Sequence, residues 1–320
     1  MNDVTAPSVA GAAATTTEAG RSANAIETHG LARRFGTTEA VAGLDLTVPR
    51  GSVFGFIGPN GAGKTTTIKM LLGLLRPTAG RAGVLGYDLA TGSLAARARI
   101  GYVAENADLY GYMRVREIIA FTRGLYPRWD DQLVARYLEL FGLPKDRAVK
   151  ALSKGMKAQL ALILALGPVP ELLILDEPTS GMDPLARKQF LSTILREVAA
   201  AGQTVFMSTH ILSDVERVAD HVALLNRGRL VLADSMDHLK ENVKKVRVVL
   251  AGGAPDDLGR WPGVRAVARE GRGWLISVES RLDEVRGRLQ ALDPSYLEVV
   301  DMTLEEIFVD YAGGERLVLG

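Results

Sequence analysis

The chain has 320 residues and a formal net charge of +1, with 47% hydrophobic and 23% charged residues. These values are typical of a soluble globular protein with one large or two modest domains. They provide neither a basic field that would favour nucleic acid nor an acidic field that would argue against it. The chain contains no cysteine, which excludes disulfides, cysteine–zinc sites and thiol nucleophiles. Its four histidines are scattered, so a dedicated metal cage is not expected.

The first two dozen residues are rich in alanine, threonine and serine and lack the basic start and apolar core of a secretory signal. We therefore expect a disordered tail over residues 1–24. No apolar run approaches the roughly 18 to 20 residues that a membrane-spanning helix needs. The longest candidate, Leu160–Pro170, predicts a buried helix followed by a turn.

Two strands are predicted next, over Ile26–Phe35 and Ala40–Val48, as an antiparallel pair joined by a turn at residues 36–38. Phe35 lies at the end of the first strand. Spacing alone leaves open whether its ring stacks on a nucleotide base or fills the core at a strand end.

Residues 58–65 form a complete phosphate-binding loop of the pattern G-x-x-x-x-G-K-[ST]. The glycines let backbone N–H groups turn inward around phosphates, Lys64 places a charge against the β- and γ-phosphates, and the Thr65 hydroxyl can ligate Mg²⁺. A short apolar strand precedes the loop and an apolar helix pattern follows it, which is the expected context. The chain is therefore predicted to bind a nucleoside triphosphate through Gly58, Pro59, Asn60, Gly61, Ala62, Gly63, Lys64 and Thr65.

A strand at Ile100–Val103 is followed by an aromatic turn, Tyr110–Met113, and by a helical pattern over Val115–Phe141. This block is interpreted as a helical insertion between two halves of an α/β core. The aromatic turn is either an exposed docking surface or a local core cluster, and the sequence leaves both open.

The core resumes with four apolar residues that run into Asp176 and Glu177, a pattern typical of a buried strand with carboxylates at its carboxyl end. Open parallel sheets bind their ligands at that end. Asp176 is placed to hold Mg²⁺ through water and Glu177 to polarise an attacking water. A further strand, Thr204–Met207, leads to His210, which is placed to hydrogen-bond the γ-phosphate. These residues together predict triphosphate hydrolysis.

Asp183 and Pro184 predict a helix start, and Val222–Ala233 predicts a hairpin that turns at residues 226–228. Beyond Ser235 the pattern changes to short alternating segments and two helices, which predicts a small α+β appendage. The basic stretch Lys240–Arg247 is interpreted either as a nucleic-acid contact or as a solvated face.

In the order and spacing of these motifs, the chain resembles the nucleotide-binding subunits of ATP-binding-cassette (ABC) transporters over about residues 26–235. The resemblance implies an α/β fold, with a P-loop NTPase (RecA-like) core, an antiparallel β subdomain and a helical subdomain insertion, plus the small C-terminal α+β appendage. The implied domains are an ABC ATPase domain over 25–235, with its helical subdomain at about 106–158, and a C-terminal accessory or regulatory domain over 236–320. The implied motifs are Walker A at 58–65 followed by Thr66, Walker B at 172–176, a D-loop at 180–183, the switch histidine His210 and the base-stacking aromatic Phe35.

Two motifs depart from the family pattern. The signature L-S-G-G-Q reads Leu152–Met156 here, with Ser153 and Gly155 retained, and Glu105 occupies the place where a metal-binding glutamine is usual. Because glutamate can also ligate a metal, the resemblance implies Mg²⁺ ligation by Thr65, Glu105 and Asp176. It implies catalytic roles for the remaining site residues Lys64, Glu177 and His210.

In this family two nucleotide-binding domains pair head to tail, which implies that Ser153 and Gly155 contact the ATP of a second copy or partner. The family's membrane-spanning permease subunits are separate chains when no span is present, and they dock close to Tyr110–Met113. Asp301–Phe308 resembles the tail of ABC-2 type exporter subunits. We therefore expect an exporter ATPase at the cytoplasmic face of the cell membrane, with no nucleic acid partner.

Two alternatives are open. A soluble ABC ATPase that acts on the ribosome or nucleic acid usually has two cassettes or a long coiled coil, and the chain shows one cassette and no heptad run. A binding module that uses ATP as a switch without turnover would not need Glu177, which is intact.

Overall fold

The computed structural model describes residues 22–106 and 108–311. The tail expected over residues 1–24 lies outside the described residues apart from its last three, and the first strand begins at Asn24. In chain order the first ten elements are β1 (Asn24–Phe35), β2 (Thr38–Pro49), β3 (Val53–Ile57), α1 (Lys64–Leu71), β4 (Ala79–Val84), β5 (Tyr87–Asp88), α2 (Leu89–Arg97), β6 (Ile100–Val103), α3 (Val115–Arg123) and α4 (Asp131–Leu140).

The second half of the described chain continues this alternation and ends in a further group of antiparallel strands. Its elements are α5 (Lys154–Leu166), β7 (Leu172–Asp176), α6 (Pro184–Ala200), β8 (Thr204–Thr209), α7 (Leu212–Val215), β9 (His221–Asn226), β10 (Arg229–Ser235), α8 (Met236–Asn242), β11 (Lys244–Val249), β12 (Val264–Glu270), β13 (Gly273–Val278), α9 (Leu282–Gln290), β14 (Tyr296–Asp301) and α10 (Leu304–Tyr311).

A six-stranded sheet in the order β10-β9-β3-β8-β7-β6 forms the centre of the fold. The five strands from β9 to β6 are parallel, and β10 pairs antiparallel with β9 through the hairpin that the sequence predicted. Every residue of β3, β7 and β8 is buried, because the sheet is covered on both faces.

The carboxyl ends of β3, β8 and β7 lie side by side and define the edge where the predicted site residues meet. The phosphate-binding loop follows β3, His210 follows β8, and Asp176 and Glu177 stand at the end of β7. This is the edge at which open α/β sheets bind ligands.

A separate antiparallel sheet has the order β2-β1-β4-β5 and confirms the predicted pairing of the first two strands. Its buried side chains, among them Val41 and Leu44, share a core with Phe54 and Phe56 of the central sheet. The sequence did not predict β4, because its residues, AGRAGV, include a single β-branched side chain.

The helical insertion between β6 and β7 is confirmed. Helices α3, α4 and α5 bury residues such as Ile118 and Leu138 in one large cluster, called the main core below. The run Leu160–Leu166 is buried throughout and forms the second half of α5, as the sequence predicted. Among the described residues, no helix combines the length and apolarity that crossing a bilayer requires.

The C-terminal strands form a third antiparallel sheet in the order β12-β13-β11-β14, called the C-terminal sheet below. Helix α9 covers one face and, with residues such as Val246, Ile276 and Leu289, forms a small core of its own. The strands and helices predicted beyond Ser235 are thereby confirmed. The two helices that flank this sheet in sequence behave differently, since Met236 of α8 and Phe308 of α10 are buried in the main core.

Candidate active site

The phosphate-binding loop lies between β3 and α1 and is enclosed by neighbouring backbone. A Cβ atom on Gly58 would lie 2.3 Å from the carbonyl oxygen of Leu225, and one on Gly63 would lie 2.4 Å from the carbonyl oxygen of Ala40. Gly63 also has φ of 106°, in the region that favours glycine. Space therefore requires glycine at both positions, and the backbone conformation requires it at Gly63 as well.

The three predicted catalytic residues lie together at this loop. Lys64 is 6% exposed, and its Nζ donates to the carbonyl oxygen of Gly58 at 2.6 Å and lies 3.1 Å from Glu177 Oε1. The other carboxylate oxygen, Glu177 Oε2, lies 2.8 Å from His210 Nδ1. One buried carboxylate thus joins the lysine of the loop to the histidine that follows β8.

Glu177 has an unusual backbone conformation. Its φ is 47°, the left-handed region that a residue with a side chain rarely adopts and that costs about 1 to 3 kcal/mol. The backbone N–H of Glu177 donates to the carbonyl oxygen of Ser208 at 3.2 Å and to its hydroxyl at 3.1 Å. The neighbouring strand therefore holds Glu177 in the turn that aims its carboxylate at Lys64 and His210.

Asp176 is the most deeply buried of the acidic site residues, with 1% exposure. Its carboxylate accepts a hydrogen bond of 2.6 Å from the Ser208 hydroxyl. Burial, together with the negative charge of Asp176, raises the pKa of Tyr102 to about 12. Ser208 thus holds both Asp176 and Glu177 in place through hydrogen bonds. Tyr102 stays protonated at neutral pH.

The segment Leu152–Met156 begins α5 and contacts a second loop. Ser153 is exposed and caps the helix, since its hydroxyl oxygen accepts from the backbone N–H of Met156 at 3.2 Å. The side chain of Lys154 lies over Gly181, so that a Cβ atom there would lie 2.7 Å from Lys154 Nζ. Sequence reasoning missed this contact, because nothing in a linear pattern pairs residue 154 with residue 181.

Comparison with known proteins supports the family resemblance that the motifs indicated. A family model described as ABC transporter matches residues 41–180. The daunorubicin resistance ATP-binding protein DrrA3 of Streptomyces coeruleorubidus is 35% identical over 310 residues, which are 92% of this chain and 98% of that protein. The chain belongs to the ABC transporter family.

Other members of the family agree in sequence and in fold. The probable multidrug ABC transporter ATP-binding protein YbhF of Escherichia coli is 40% identical over 74% of this chain, which spans only 41% of that protein. A solved structure described as the ATP-binding subunit of an ABC transporter is 31% identical, with a TM-score of 0.61, and covers 68% of this chain and 92% of its own. The fold is that of an ABC ATPase cassette.

Phe35, the family's base-stacking position, lies at the end of β1 and is 47% exposed. The Arg33 guanidinium lies over its ring, 4.6 Å from the centroid. The alternative that Phe35 fills the core is therefore wrong, and base stacking stays a prediction.

The oxygen ligands expected for Mg²⁺ come from separate elements. Thr65 opens α1, Asp176 ends β7 and the exposed Glu105 follows β6. Within the described part of the chain, no three histidine, aspartate or glutamate side chains are grouped closely enough to hold a metal. A hydroxyl and a buried carboxylate nevertheless fit Mg²⁺, which prefers few protein oxygens and shares the rest of its shell with phosphates and water.

The aromatic turn Tyr110–Met113 was interpreted either as an exposed docking surface or as a core cluster, and its residues are of both kinds. Tyr110 is 51% and Tyr112 74% exposed, and Tyr110 packs edge-on against Phe121 with the centroids 5.7 Å apart. Met113 instead packs against the main core. The two tyrosines and Phe121 are called the aromatic patch below.

Proposed function

We propose that this chain binds ATP with Mg²⁺, hydrolyses it, and thereby powers export through separate membrane-spanning subunits at the cytoplasmic face of the cell membrane. The observation that carries the proposal is the buried contact of Lys64, Glu177 and His210 beneath the phosphate-binding loop. A charge from the loop and a carboxylate that positions water are groups that catalyse hydrolysis of a γ-phosphate, and His210 matches the switch histidine of the family.

Each of these groups has a distinct role in the proposed mechanism. The Lys64 ammonium binds the β- and γ-phosphates, and the loop N–H groups hold them in line. The Glu177 carboxylate orients the attacking water and accepts its proton, while His210 donates a hydrogen bond to the γ-phosphate. Thr65, Asp176 and Glu105 are the residues that would hold Mg²⁺, which would supply charge neutralisation on the phosphates.

The second half of the nucleotide site is proposed to come from another copy or a partner cassette. Ser153 and Gly155 stand at the start of α5, where the helix dipole favours an anion. None of the described hydrogen bonds or ion pairs of Lys64, Glu177 or His210 involves these two residues. We propose that they face a nucleotide that another cassette binds.

A membrane-spanning partner is proposed to dock on the aromatic patch and the cavity beside it. The cavity has a volume of about 440 Å³ and is lined by residues that include Leu74, Arg97 and Tyr126. The lining also includes Leu109 and Thr122, the sequence neighbours of Tyr110 and Phe121, and exposed aromatic side chains beside a groove suit a short helix of a partner.

Export is favoured by the relatives that match the chain along most of its length. The daunorubicin resistance protein matches 92% of this chain, including the C-terminal region, and its name refers to drug resistance. The tail pattern Asp301–Phe308, which resembles that of ABC-2 type exporter subunits, also favours export.

The alternative of a ribosome or nucleic-acid ATPase loses its one supporting feature. Within the basic stretch, Lys244 pairs with Asp301 and Lys245 with Glu306, and Arg247 pairs with Glu270. The two lysine side chains are only 17% and 14% exposed. Lys244 and Lys245 are therefore used inside the fold, whereas Lys240 and Arg247 remain at the surface.

Lys64→Ala tests the proposal, with Lys69→Ala, an exposed lysine on the same helix, as the control. We expect Lys64→Ala to weaken ATP binding by about 10- to 150-fold, since a hydrogen bond to a charged group contributes about 1.5 to 3 kcal/mol. Lys69→Ala should bind as the parent does. Equal ATP affinities for the parent and Lys64→Ala, measured by calorimetry, would reject the site.

A further inference from the structure

Helix α10 lies between the main core and the C-terminal sheet, and its apolar side belongs to the main core. Leu304, Ile307 and Phe308 are 4%, 2% and 2% exposed and share this cluster with Leu212 and Val215 of α7. The cavity left where these residues meet measures about 10 Å³, the limit for a single water. The contact between α10 and α7 is therefore tightly packed.

The polar side of α10 is bound to three strands of the C-terminal sheet. Glu306 pairs with Lys245 of β11 at 3.0 Å, and the Ser277 hydroxyl of β13 donates to Asp310. The Arg265 guanidinium of β12 lies over the ring of Tyr311, 3.6 Å from the centroid. Helix α10 thus contacts the main core through apolar packing and the C-terminal sheet through polar and cation–π contacts.

Helix α7 begins two residues after His210 and has only four residues, too few to be stable alone. On one side Val215 packs against β3, where a Cβ on Gly55 would lie 2.2 Å from Val215 Cγ1. On another side the backbone N–H of Leu304 donates to the Glu216 carboxylate at 3.3 Å. The segment that carries His210 is therefore fixed between β3 and α10.

We infer that α10 is a positioning element for His210, and that through it the C-terminal sheet sets the rate of ATP hydrolysis. The inference rests on the role proposed above for His210. Residues of α10 make no described contact with Lys64, Glu177 or His210, so they act only through α7.

The test compares Ile307→Ala in α10 with Leu289→Ala in the core of the C-terminal sheet, both in the full chain. Each removes a buried aliphatic side chain, so both variants should lose thermal stability. We expect Ile307→Ala to lower kcat about tenfold, with the KM for ATP unchanged. Leu289→Ala should keep the parental kcat, because Leu289 lies on α9 and the contacts of α10 with Lys245, Ser277 and Arg265 do not involve it. Equal kcat values for the two variants would overturn the inference.

The same substitution in a His210→Ala background separates positioning from general destabilisation. If α10 acts through His210, Ile307→Ala should cause no further fall in kcat there, because effects through one group are not additive. A further fall of the same size in both backgrounds would overturn the inference alone. Parental kcat in His210→Ala itself would instead overturn the proposed role of the histidine, and the inference with it.

A milder pair covers the case in which Ile307→Ala fails to fold. Lys245→Met removes the pair with Glu306 and leaves the apolar side of α10 in place, whereas Lys244→Met removes the neighbouring pair with Asp301. We expect a severalfold lower kcat for Lys245→Met only. Identical kcat values for the two lysine variants would count against control of the rate by the C-terminal sheet.

Discussion

At the scale of single residues, the site depends on contacts between side chains that are far apart in sequence. Lys64 begins α1, whereas Glu177 and His210 follow β7 and β8, and the sequence predicted all three because each belongs to a motif with its own chemistry. It could not reveal that Glu177 has a left-handed backbone, since that conformation depends on hydrogen bonds from Glu177 to Ser208 of the neighbouring strand. Motifs thus predict which residues react, and only the fold shows how they are held.

The phosphate-binding loop offers a prediction at this scale, in which two glycines are compared. Both Gly61 and Gly63 have positive φ, but a Cβ on Gly61 would meet nothing within 4 Å, whereas one on Gly63 would meet the Ala40 carbonyl oxygen. Gly61→Ala should therefore lower the free energy of unfolding through backbone strain alone, by about 1 to 2 kcal/mol. Gly63→Ala should lower the free energy of unfolding by about 1 to 3 kcal/mol more, because its Cβ would also clash with the Ala40 carbonyl oxygen.

Thermal or denaturant unfolding without nucleotide measures this difference. A similar loss of stability in the two variants would show that the loop is not enclosed by β2 as described.

At the scale of elements, amphipathic patterns located α10 and the strands around it, but not the surface that α10 covers. The pattern Leu304, Ile307, Phe308 predicts an apolar helix face, and it is compatible with burial against the C-terminal sheet as well as against the main core. The choice is made by long-range packing on α7, which no local pattern encodes. The same holds for β4, whose pairing with β1 compensates for a sequence with weak strand preference.

The contacts of Glu306 in the first turn of α10 predict that the stability of the protein depends on pH. Burial by itself would raise the pKa of Glu306, but the Thr303 backbone N–H, Lys245 and the Thr303 hydroxyl together lower it below its ordinary value of 4.5. A lowered carboxylate pKa adds stability that is fully present above the unfolded-state value. That stability is lost as the pH falls through the folded-state pKa.

Glu306→Gln should therefore be less stable than the parent at pH 7, and the difference between them should shrink on acidification below about pH 4.5. Thermal unfolding at a series of pH values measures it. A difference that stays constant between pH 7 and pH 3 would contradict the charged contact with Lys245.

At the scale of the whole molecule, the chain combines a nucleotide site, an exposed aromatic patch and a C-terminal sheet tied to the catalytic segment by one helix. The family and its fold were predictable because the motifs occur in order and at the usual spacing. Which helices of the C-terminal region pack on the C-terminal sheet was not predictable, since α8 precedes the sheet and α10 follows it, yet both pack with the main core.

The aromatic patch predicts that docking and catalysis can be separated. Tyr112→Ser should leave the ATPase activity of the isolated chain unchanged and abolish its co-sedimentation with membranes that contain the proposed permease partner. Tyr296→Ser, which alters a 49% exposed tyrosine of the C-terminal sheet, is the control and should sediment normally. Normal sedimentation of Tyr112→Ser would place the permease contact elsewhere.

The measurement that most directly tests hydrolysis between two cassettes is phosphate release and ATP-dependent dimerisation by Glu177→Gln. The control is Glu171→Gln, which changes an exposed glutamate just before β7 that pairs with Arg50 and Arg99. We predict that Glu177→Gln binds ATP, releases no phosphate and sediments as a dimer in ATP but not in ADP, while Glu171→Gln behaves as the parent. Phosphate release by Glu177→Gln at the parental rate would contradict the assignment of Glu177 as the residue that activates water.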